Sequence, residues 1–97
     1  MAAKGLKMEL TSIGIIETKG LAALVCATDA MLKAAKVEFK GYKNVGSAYC
    51  SAFVTGDVAS VKAAVEAGAA TARTVGELIS VHVIARPHDE LKTVLPK

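Results

Sequence analysis

The sequence predicts an α+β fold of one domain, with elements in the order β-α-β-β-α-β and a short helix at the end. Strands in that order form an antiparallel sheet carrying both helices on one face. Three observations point there. Short runs rich in β-branched residues alternate with two long Ala-rich stretches of helical periodicity. Gly and Asp stand at the joints between them. The chain has 97 residues, which confines it to a single core.

"TSIGIIE" (11–17) is a short apolar run that reads as a buried strand. "TKG" then turns into a helix over about 19–35, where Leu21, Leu24, Val25, Thr28, Met31, Leu32 and Ala35 recur at helical spacing. "VEFKGYK" alternates from one residue to the next and makes a second strand, and "AYCSAFVT" (48–55) makes a third. Asp57 follows as the N-cap of a second helix, because its carboxylate can accept from free amides of the first turn. Val58, Val61, Val65, Ala69 and Ala72 mark that helix's apolar stripe, and Gly76 stops it. "ELISVHVI" is the fourth strand, "ARP" breaks it, and "HDELKTVL" suits one short final helix. The domain therefore runs over 11–97. Residues 1–10 form an N-terminal extension in which "LKMEL" alternates, as an irregular strand or a loose arm.

Composition adds a second expectation. Apolar residues make up 53% of the chain and aromatic ones 4%, which is more apolar surface than one small core hides. The excess predicts self-association. The net charge is +3 and belongs wholly to residues 1–47, with seven Lys against four acids, while the remainder balances at five and five. Those lysines are scattered singly and form no block of the kind that marks a nucleic-acid tail. "MAAKGLKMEL" lacks the apolar core of a signal peptide and no run approaches a membrane span, so the expected location is cytosolic. In that reducing compartment Cys26 and Cys50 are expected as two small buried side chains.

Between the second and third strands lies "YKNVGSAY" (42–49), with three small residues in a row and no ordinary hairpin turn signal. Small residues let something approach a backbone closely. Taken alone, the segment fits an exposed connection, a phosphate site, or contact with a copy of itself. A phosphate loop lacks support, since no G-K-[ST] is present.

The segments "GIIETKG", "DAMLKAAKVEFKGYKNVGS", "VTGDVASVKAAVEAGAATA" and "VGELISVHVIARPHDEL" together resemble the hexameric, single-domain shell proteins of bacterial microcompartments, the propanediol- and ethanolamine-utilisation type among them. The resemblance covers about residues 13–97. It implies the BMC domain, a variant of the ferredoxin-like arrangement, and a six-fold ring that packs side by side with others into the facets of a polyhedral shell in the cytoplasm. It implies that Val45, Gly46, Ser47 and Ala48 of each subunit ring a central pore for small polar metabolites. It also implies that Lys33 and Arg86 join ring to ring, with Asp29 orienting Lys33 from one helical turn away and His88 supporting the Arg86 edge. The implied partners are copies of this chain, other shell hexamers, trimers, pentameric vertex proteins and amphipathic targeting helices of cargo enzymes. No nucleic acid, membrane, cofactor or metal is implied, and no catalysis.

One departure from the family pattern stands beside the loop. Many relatives carry an acidic and then a basic residue after the tyrosine; here Lys43 and Asn44 follow Tyr42. Successive strand residues face opposite sides, so the charge is displaced to another place.

Competing chemistry is thin. His82 and His88 lie across a Pro without the spacing of a metal motif, and no G-x-S-x-G, C-x-x-C or paired-carboxylate arrangement appears. Two other classes share the element order. An RRM-like RNA-binding module would use aromatic residues on the third strand, and Tyr49 and Phe53 do share one face there. That strand, however, has no Lys or Arg. A ferredoxin-like ring-shaped metabolite sensor would bind its ligand between subunits.

Overall fold

A computed structural model of the chain describes residues 11–44, 46 and 48–85. Their elements are β1 (Ser12–Lys19), α1 (Leu21–Ala34), β2 (Glu38–Asn44), β3 (Tyr49–Gly56), α2 (Val58–Val75) and β4 (Glu77–Ile84). This is the expected α+β order. The short helix expected over 88–95 and the extension 1–10 lie outside the described residues.

The strands form one sheet in the order β2-β3-β1-β4, antiparallel throughout. Its inner strand β1 is apolar on both sides, with Ile13 and Ile16 buried on opposite faces. Both helices lie on one face. Met31 and Ala27 of α1 and Ile16 of β1 all stand within 3.2 Å of where a Cβ on Gly68 of α2 would sit, so the three elements meet at a glycine. The core around that point is built from small residues, among them Ala27, Ala52, Ala64 and Ala72, each fully buried.

That closeness corrects the expected face of α1. Its buried residues are Ala23, Leu24, Ala27, Thr28 and Met31, whereas Leu21, Val25 and Leu32 are 44–61% exposed. Only small side chains fit where the helices approach, so the helix is rotated toward Ala23 and Ala27 and part of its large apolar set is left outside. Cys26 turns outward with it and is exposed, contrary to expectation, while Cys50 is buried as expected. On α2, Val58 is exposed at the first turn, and Ala64 and Gly68 join the buried stripe of Val61, Val65, Ala69 and Ala72.

The helix ends follow the sequence. Asp57 caps α2 by accepting from the Ser60 N–H at 2.9 Å, and the Ser60 hydroxyl donates to its other carboxylate oxygen at 2.9 Å. The bond from the Ser60 amide, then that from the hydroxyl, holds the Asp57 carboxyl below its ordinary pKa. Gly76 closes the helix by donating its N–H to the Ala72 carbonyl. Within α1 the buried Thr28 hydroxyl donates to the Leu24 carbonyl at 2.8 Å, which satisfies it without a cross-chain partner.

Two irregularities decide which side chains share a face. The register of β2 on β3 shifts between Phe39 and Gly41, so strict alternation fails at Lys40. Phe39 and Tyr42, three apart, both pair with helix-facing residues of β3, and their rings meet edge-on at 4.8 Å between centroids. A second shift, between Glu17 and Thr18 on β1, leaves Ile79 of β4 without a register partner.

Candidate functional site

The segment joining β2 to β3 stands at one end of the sheet. Gly46 is exposed with φ +87°, and a Cβ there would meet nothing within 4 Å. Glycine is required by backbone conformation here, because an L side chain strains at such a φ even in open space. The returning leg is fastened: the Ala48 carbonyl accepts from the Gly20 N–H at 2.8 Å, tying the loop to the turn where β1 becomes α1. Val45 and Ser47, the other expected pore residues, lie outside the described residues.

The register settles where the displaced basic residue sits. Asn44 pairs with Cys50 and Lys43 with Ser51. Cys50 belongs to the core beneath the helices, so Asn44 is on the helix side and Lys43 on the opposite face. Lys43 is exposed. Two other lysines have carboxylates in contact, Lys40 with Glu38 at 3.1 Å and Lys33 with Asp29 at 3.0 Å. Among the described residues Lys43 has no such partner.

The Asp29–Lys33 pair is the one expected from the spacing of one helical turn. Both side chains are well exposed, and a pair of that kind contributes at most about 1 kcal/mol. Its effect is to hold the lysine stem along the helix surface. Arg86 and His88, expected at the same edge, lie outside the described residues. His82 is exposed and pairs with Ile15 on the face away from the helices. Among the described residues no group of three His, Cys, Asp or Glu could hold a metal ion.

Sequence reasoning predicted excess apolar surface without placing it on particular residues. Leu21, Val25 and Leu32 on α1, Val75 at the end of α2, and Ile79 and Val81 on β4 are all exposed. Its signal was present as an apolar set on α1 too wide for one buried stripe. Tyr49 and Phe53 do share a face, the one away from the helices, since their partners are Lys19 and Ile15. No described helix is long and apolar enough to cross a membrane.

The family model described as the BMC domain matches residues 12–87. The chain belongs to this family. Every described helix and strand of this BMC domain falls inside the matched span. The bacterial microcompartment shell protein EutM of Salmonella typhimurium is 55% identical over 87 residues, covering 90% of this chain and 91% of the relative. The bacterial microcompartment shell protein PduA of Citrobacter freundii is 51% identical, covering 93% and 97%. The carboxysome shell protein CcmK2 of Thermosynechococcus vestitus is 49% identical, covering 88% and 85%. Among solved structures, a microcompartment protein from Desulfitobacterium hafniense DCB superposes with a TM-score of 0.77 at 32% identity. The match takes in 87% of this chain but only 46% of that one.

Proposed function

We propose that this BMC-domain chain is a structural tile of a bacterial microcompartment shell, located in the bacterial cytoplasm and without enzymatic activity. It forms a cyclic hexamer, and hexamers pack side by side into facets. The β2–β3 loops, residues 45–48 of each subunit, surround a central pore for small polar metabolites. Lys33, oriented by Asp29, and Arg86 with His88 form the contact between neighbouring hexamers. Trimeric and pentameric shell proteins, and targeting helices of cargo enzymes, are its further partners.

The observation that carries this reading is the match of named shell proteins at about half identity along nine-tenths of the chain. The geometry supports it in two places. Leu21, Val25 and Leu32 are about half exposed, and covering such side chains against a neighbour gives on the order of 1 kcal/mol each. A lone protomer forgoes that gain. Gly46 has open space around it, as a loop needs if copies of it are to converge on one axis.

Sedimentation velocity tests the ring. The wild-type chain is expected as a single species of six times the chain mass. Leu21→Asp combined with Val25→Asp is expected to sediment as a smaller species with unchanged circular dichroism. A wild-type chain that sediments as a monomer at micromolar concentration overturns the proposal.

A further inference from the structure

We draw no further inference here: the strongest candidate, the exposed apolar surface of Leu21, Val25 and Leu32 on α1 with Val75 at the end of α2 and Ile79 and Val81 on β4, belongs to the contact between copies already proposed, and nothing among the described residues shows another occupant for it.

Discussion

Adding one methyl group at Gly14 should separate α2 from the sheet. A Cβ there would lie 2.8 Å from Val61 Cγ1, 2.8 Å from Val65 Cγ2 and 3.1 Å from Val54 Cγ2. Carbon atoms pack best at about 3.5–4.0 Å, so the helix must draw back by roughly 0.7 Å at that point. The valine methyls cannot swing aside. Each is one bond from a branched Cβ whose rotamers are restricted, and all three valines are buried. Overpacking of this kind costs about 1–3 kcal/mol, against a gain of roughly 0.5–1 kcal/mol from replacing Gly by Ala within a strand. At mid-range values the expected net loss for Gly14→Ala is about 1 kcal/mol, or roughly 4–8 °C in Tm for a chain of this size. Urea and thermal unfolding at one fixed protein concentration measure it, since stability of an associating chain depends on concentration. Val65→Ala supplies the control. Alone it opens a cavity and destabilises, but in the Gly14→Ala background it should cost at least about 0.5 kcal/mol less, because it makes room for the new methyl. Strictly additive losses in this double-mutant cycle, or a Gly14→Ala chain as stable as wild type, would show that α2 does not sit where described.

Lys33→Ala should leave soluble rings intact and abolish extended sheets in electron micrographs, with little change in Tm because the exposed Asp29–Lys33 pair contributes little to folding; abundant sheets from this variant would remove Lys33 from the proposed edge. Asp57→Ala should lower Tm at neutral pH and do so less as acid is added. The Ser60 bonds depress the Asp57 pKa below its ordinary 3.8, so the stabilisation from the ionised cap is complete above that value and is lost as pH falls through the lower, folded one. Melting curves of both proteins between about pH 2 and pH 7 compare the two, and a gap that stays constant across that range contradicts the cap's ionised role.

The element order was legible because each signal was local. Asp57 and Gly76 bracket α2 as capping chemistry requires, and β4 occupies the stretch its β-branched residues mark. The facing of α1 was not legible. Leu21, Val25 and Leu32 fit a buried stripe as well as Ala23 and Ala27 do, and the choice was made elsewhere in the chain, by the absent side chain of Gly68. The exposure of Cys26 follows from that same rotation.

The candidate site divides in the same way. Asp29 and Lys33 could be paired from helical spacing alone, and the small-residue segment after β2 was visible as an anomaly. The positive φ of Gly46 and the anchoring of Ala48 to Gly20 arise only in the folded chain. Lys43 shows the limit most clearly. Its face depends on how many residues of β2 are bulged before it, and the irregularity beside Lys40 leaves no mark in composition or periodicity.

The meeting place of α1, α2 and β1 is furnished with alanine and glycine, with Ala27, Ala64, Ala72 and Gly68 all buried. Such positions have almost nothing lighter to accept, so nearly every mutation that reaches their codons adds bulk where none can be housed. Heritable variation is steered outward to the rim and the loops, and a lineage of such subunits can diversify what it touches while its interior stays frozen.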